Sequence, residues 1–150
     1  MPATIAYFLT WTTYGTWLPG DARGWVRHHE GSAGTPYRPA DPERETRARH
    51  AMTHRPVTLS PPMRKVVESA VRRTAKRRGW PLHALNVRSN HVHVVLTATD
   101  RPPERVMASL KAWASRCLNQ AAGTDRQGRW WTRHGSTRYI KTQASLRAAV

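Results

Sequence analysis

Between residues 60 and 123 two helix-period segments flank a pair of strands, and that succession limits the chain to an α+β domain. The first segment opens on Ser60-Pro61-Pro62, a capping hydroxyl followed by prolines that suit a first helical turn. Met63, Val66, Val67, Ala70, Val71 and Thr74 then recur at helical spacing until Gly79 ends the run. Arg64, Lys65, Glu68, Arg72, Arg73 and Lys76 fall on the remaining face. Leu82 to Arg88 and His91 to Ala98 read as two strands joined by Ser89-Asn90, a short polar pair suited to a hairpin. After Asp100 and Pro102-Pro103, Val106, Leu110, Trp113, Ala114, Cys117 and Ala121 mark a second amphipathic helix that stops near Gly123.

The flanks complete the pattern. Ile5, Tyr7, Phe8, Leu9, Trp11 and Tyr14, interleaved with Thr, predict a strand from Thr4 to Tyr14 that breaks at Gly15. A Gly- and Pro-rich segment over 15–40 has no sustained period and reads as a long loop, of the kind that carries function in a small domain. Asp41 to His54 predicts a short, weak helix after Pro42; Thr137 to Ile140 predicts a last strand, and Thr142 caps a helix over QASLRAAV. The order β-α-β-β-α-β is the ferredoxin-like arrangement, an antiparallel sheet with two helices on one face and the other face free for a ligand. At 150 residues, one domain spanning 1–150 is expected.

Charge narrows the partner. Twenty-five Lys+Arg against 9 Asp+Glu leave +16 at pH 7, an excess that draws a polyanion and points first to nucleic acid, whose phosphates release counterions when neutralised. Membrane is not expected, because no apolar run approaches the roughly 20 residues that span a bilayer and no basic amphipathic anchor stands out. A single cysteine, Cys117, excludes an intrachain disulfide and a Cys-based zinc cluster. The amino-terminal residues lack the pattern of a secretory signal, so a cytoplasmic location is expected.

Alternation along the strand SNHVHVVL sends Val92, Val94 and Leu96 to the core and His91 and His93 together to the opposite face. Residues two apart on a strand lie roughly 6.5 to 7 Å apart at Cα, close enough for both imidazoles to converge on one divalent ion. Such a pair is also compatible with ordinary half-exposed strand histidines, and a metal would need further donors from another element, water or a substrate phosphate. Beside so basic a surface, a metal would suit phosphodiester chemistry. Tyr7, Tyr14, Tyr37 and Tyr139 are the tyrosines available as covalent nucleophile, each with a packing role as its rival.

Taken together, WTTYGTWLPGD at 11–21, NHVHVVL at 90–96 and WWTRHGSTRYI at 130–140 resemble the REP-associated branch of the single-tyrosine transposases. That family belongs to the His-hydrophobic-His nucleases, which move insertion sequences as single-stranded DNA. The resemblance implies that His91 and His93 bind Mg²⁺ or Mn²⁺. It also implies that a tyrosine on the helix after the last strand attacks a phosphate beside a DNA hairpin, with a third metal ligand slightly beyond that tyrosine. QASLRAAV carries no tyrosine, so the chain is expected to be either a piece lacking its C-terminal end or a natural remnant, with Tyr139 as the fallback nucleophile.

For DNA handling, Trp11, Trp17 and Trp25 are candidates to stack on unpaired bases, and Arg88, Lys111, Arg116, Arg133 and Arg138 to contact phosphates. His134 is a surface residue or a support for a ligand. The expected partners are single-stranded DNA bearing a hairpin and, for a homodimer, a second copy of the chain. Three activities remain open: a metal-dependent transposase or nickase, a non-catalytic nucleic-acid-binding module built on the same fold, and a hydrolytic phosphodiesterase that uses water.

Overall fold

A computed structural model describes residues 3–25, 36–123 and 129–150. Along the chain run β1 (Ala6–Thr12), α1 (Pro42–Ala51), α2 (Pro61–Arg78), β2 (Leu82–Val87), β3 (His91–Leu96), α3 (Pro103–Ala122), β4 (Ser136–Ile140) and α4 (Gln143–Ala149). The four strands form one antiparallel sheet in the order β2-β3-β1-β4. This is the α+β, ferredoxin-like arrangement expected from the sequence, with α1 added in the first crossover and α4 after the last strand.

Local chemistry explains the helix ends. The Ser60 hydroxyl accepts from the Met63 amide, prolines occupy the first turn of α2, and Gly79 closes it in the left-handed conformation at φ 72°. Gly123 ends α3 the same way at φ 75°. In α1 the Asp41 carboxylate caps the Arg44 amide at 3.1 Å. The loop before α1 is tied to it at Gly20, whose φ of 92° is natural only to glycine and whose carbonyl accepts from the Asp41 amide at 2.9 Å. In the Gly- and Pro-rich loop Trp25 forms an antiparallel bridge with Arg38, and residues 26–35 of that segment lie outside the described residues.

Helices α2 and α3 pack on one sheet face. Leu9 and Trp11 of β1 and Val92, Val94 and Leu96 of β3 point into that layer and meet Val67, Ala70 and Val71 of α2 and Val106, Leu110 and Ala114 of α3, all buried. Trp11 is 0% exposed and meets Trp131 edge-to-face at 6.1 Å, so this ring belongs to the core and is closed to any base. The opposite face has a smaller apolar cluster of Ala6, Val95 and Ile140, with Phe8 beside it and Leu146 and Ala149 of α4 packed on top. Val95 thus breaks the run of core-facing valines because it shares the register of the histidines. Among the described residues no helix is long and apolar enough to cross a membrane.

Candidate functional site

Register decides which side chains surround the histidines. On β1, Thr12 lies opposite His91, Thr10 opposite His93 and Phe8 opposite Val95. On β2, Asn86 is the neighbour of His93, and on β4 Ser136 and Arg138 stand opposite Thr10 and Phe8. Cross-strand partners share a face, so Thr10, Thr12, Asn86, Ser136 and Arg138 all join the two histidines on the side turned away from α2 and α3.

The imidazoles stand 4.6 Å apart, centroid to centroid. His91 Nδ1 donates to the Asn90 side-chain oxygen at 2.7 Å, and His93 Nδ1 shares a hydrogen bond of 2.8 Å with the Thr10 hydroxyl. Both rings are therefore anchored through Nδ1, and both Nε2 atoms lie outside these bonds. Anchoring one ring nitrogen to fix the other for ligation is the usual arrangement around a metal. Phe8 meets the edge of His93 at 5.7 Å and limits how the ring turns.

Burial is the main cause that lowers the proton affinity of both rings. For His91 the guanidinium groups of Arg88 and Arg23 add to it; for His93, His91 and Arg88 do. Both are pushed below the ordinary value of 6.5, which favours the neutral rings at pH 7. The unfolded chain then takes up protons at higher pH than the folded one, and folding stability is expected to fall as pH drops from 6.5 toward the depressed values and to level off below them. Denaturant midpoints measured at successive pH values, with the double variant His91→Ala/His93→Ala as reference, check this. The reference should lose that slope.

The metal fit is partial. Two anchored imidazoles supply two nitrogen donors, but among the described residues no group of three His, Cys, Asp or Glu converges. The remaining positions of a divalent ion would fall to water and phosphate oxygen, as is common where phosphate is the substrate.

Against known proteins, the family model of the IS200-like transposases matches residues 50–144, a span from the end of α1 to the start of α4 that contains both histidines. The chain belongs to the IS200-like transposase family. No curated protein matches. Among solved structures, one assigned as a transposase from Deinococcus radiodurans R1 superposes with a TM-score of 0.55 at 18% identity, over 99% of this chain and 86% of that one. A REP-associated tyrosine transposase bound to a REP hairpin superposes with a TM-score of 0.56 at 12% identity, over 100% of this chain and 65% of that one. At such identities these likenesses speak for the fold.

Within this transposase-family fold, the residues singled out from the sequence separate. His91, His93 and Arg138 share one sheet face, and Arg88, exposed at the end of β2, lies near enough to lower the proton affinity of both histidines. Tyr139 is not brought to them: it pairs with Tyr7 in the register of the helical side and stacks on it edgewise at 5.9 Å. Tyr7 donates to the Arg101 carbonyl, and Tyr14 accepts from the Thr53 amide. Lys111 is turned inward. Its ammonium donates to the carbonyls of Thr132 and His134 at 2.9 Å each, and burial lowers its pKa to about 8. It clamps the segment before β4, where His134 sits at a φ of 62°.

Arg116 lies over the Trp113 ring at 4.6 Å on α3, the helical side of the sheet. Trp25 is buried, donates to the Pro39 carbonyl and is overlain by Arg44 at 4.8 Å. Trp17 is half-buried and Arg133 exposed. Sequence reasoning missed Thr10, Asn90 and Arg23. Only strand register brings Thr10 to His93, and Arg23 sits in a loop whose path no periodicity encodes.

Proposed function

We propose that this transposase-family chain is a single-strand DNA nickase and strand transferase, acting on hairpin DNA in the cytoplasm, in which His91 and His93 hold Mg²⁺ or Mn²⁺. The observation that carries the reading is the pair itself: two rings anchored through Nδ1, kept neutral, with both Nε2 atoms on a sheet face free of α2 and α3. A divalent ion held by His91 and His93 would supply positive charge to polarise a phosphate oxygen. Thr10 and Asn90 hold the rings in place, and Arg88 and Arg138 add fixed positive charge for the strand. In the nicking step a tyrosine gives up its phenolic proton as its oxygen bonds to phosphorus, the bond to the 3′ oxygen breaks, and a proton passes to that oxygen, leaving a 3′ hydroxyl and a 5′-phosphotyrosine.

A second reading, a non-catalytic DNA-binding module derived from the same fold, is favoured by the placement of the tyrosines. Tyr7 and Tyr139 face the helical side of the sheet, away from the histidines. One experiment separates the readings. The chain is incubated with end-labelled hairpin DNA carrying unpaired flanks, with Mn²⁺, with Mg²⁺ and with chelator, and the products are run on denaturing gels. Metal-dependent cleavage with a labelled protein adduct supports the transferase. Cleavage without an adduct indicates hydrolysis by water, and tight binding with no cleavage in any metal indicates the binding module.

A further inference from the structure

Arg23, in the loop between β1 and α1, is held more firmly than its exposure suggests. Asp21, buried to 7% exposure, receives the Arg23 guanidinium on both carboxylate oxygens, at 2.8 Å from Nε and 2.6 Å from Nη2, and the Arg23 amide at 2.8 Å. Nη2 also donates to the Thr16 carbonyl at 2.8 Å. The guanidinium carbon sits 4.2 Å from the centroid of Trp17, whose indole nitrogen donates to the Gly24 carbonyl and so fixes the ring from the far end of the same turn. Yet half of the Arg23 side chain remains open to solvent.

This anchored cation is connected to the histidines. The Thr16 hydroxyl bonds the Thr13 hydroxyl at 2.6 Å, and the Thr13 amide and hydroxyl both donate to the Asn90 carbonyl. Asn90 in turn holds His91 through its side-chain oxygen. The turn carrying Arg23 is thereby fixed relative to the site through hydrogen bonds.

A surface arginine with no ligand gains little from a buried carboxylate clamp, because desolvating Asp21 costs free energy that an exposed pair seldom returns. Immobilisation does help a group that must meet an anion in one place, since its rotamer entropy is then lost before binding. We propose that Arg23 is a phosphate-binding residue for the unpaired DNA strand that lies over His91 and His93, with Asp21 and Trp17 as its positioning residues. The inference rests on the reading of the site as one for single-stranded DNA and adds to it a phosphate contact outside the histidine pair.

The test measures binding of fluorescein-labelled hairpin DNA, with and without unpaired flanks, to the full chain in chelator, across a salt series. Arg23→Gln is expected to weaken binding of the flanked hairpin about 10-fold or more and to reduce the slope of log affinity against log salt by about 0.7, the value for one phosphate contact on a single strand. Binding of the blunt hairpin should be unchanged. Arg23→Lys keeps the charge without the two-point clamp and should restore the slope while regaining only part of the affinity. Unchanged slope in Arg23→Gln, or equal loss on both DNAs with no rescue by Lys, would mean that Arg23 only braces its loop and would overturn the proposal. If the wild-type chain shows no preference for unpaired flanks, the single-strand reading fails with it. A preference that survives Arg23→Gln intact removes the Arg23 assignment alone.

Discussion

His91→Ala is expected to reduce metal-dependent cleavage of flanked hairpin DNA by about 100-fold or more, the scale on which losing several kcal/mol of charge stabilisation at the phosphate is felt. His93→Ala should do the same, and the double variant should be little worse than either single one, because the two rings act as one chelating unit and lose their function together. Hairpin binding in chelator should be nearly untouched in all three, since neither ring carries charge at pH 7. Thr10→Val tests the anchoring bond separately: it keeps the shape of the side chain beside His93 but removes the hydroxyl that meets Nδ1, so it should weaken metal affinity about 10- to 100-fold. Single-turnover cleavage against metal concentration reads both effects. Full activity in His91→Ala at saturating metal would sink the metal assignment.

How far the sequence reveals this site depends on whether one element or several are needed to build it. The histidine pair was legible because strand alternation is local: Val92 and Val94 inward puts His91 and His93 outward, and the structure has them so. Capped ends made α2 and α3 equally plain, through Ser60, Gly79 and Gly123. Tryptophan was where composition misled. Trp11, Trp17 and Trp25 look alike as single letters near a basic motif, but burial is set by tertiary packing, which put Trp11 in the core and Trp25 under Arg44 and left Trp17 as the platform for Arg23. The place of Lys111 on the polar face of α3 suggests a phosphate contact. The segment 132–134 folds back over that face, and the carbonyls of Thr132 and His134 take the ammonium. Arg23 and Asp21 sit in a loop with no period to read, and their pairing emerges only when the chain turns at Gly20 and Gly24.

Trp11→Ala is expected to cost about 3–5 kcal/mol of folding stability, and the reason separates a core role from a DNA role. The ring is fully buried in the core against Trp131, with Leu9 in the same cluster, so truncation leaves a cavity that the neighbouring strand β3, paired at Val92, cannot collapse to fill. For a domain of this size that loss lowers the thermal midpoint by about 10 °C or more. Trp11→Phe should be much milder, at about 1–2 kcal/mol, because the indole nitrogen of Trp11 has no hydrogen-bond partner and replacing it with a hydrocarbon ring abandons no buried bond. Trp17→Ala gives the opposite balance: the ring is half-buried, so stability falls less, whereas losing the surface beneath Arg23 should weaken binding of unpaired DNA. Thermal melts and binding isotherms on the three variants distinguish the roles. A Trp11→Ala chain that melts like wild type but binds DNA poorly would place that ring at the DNA surface and contradict the packing that carries β1 against α2 and α3.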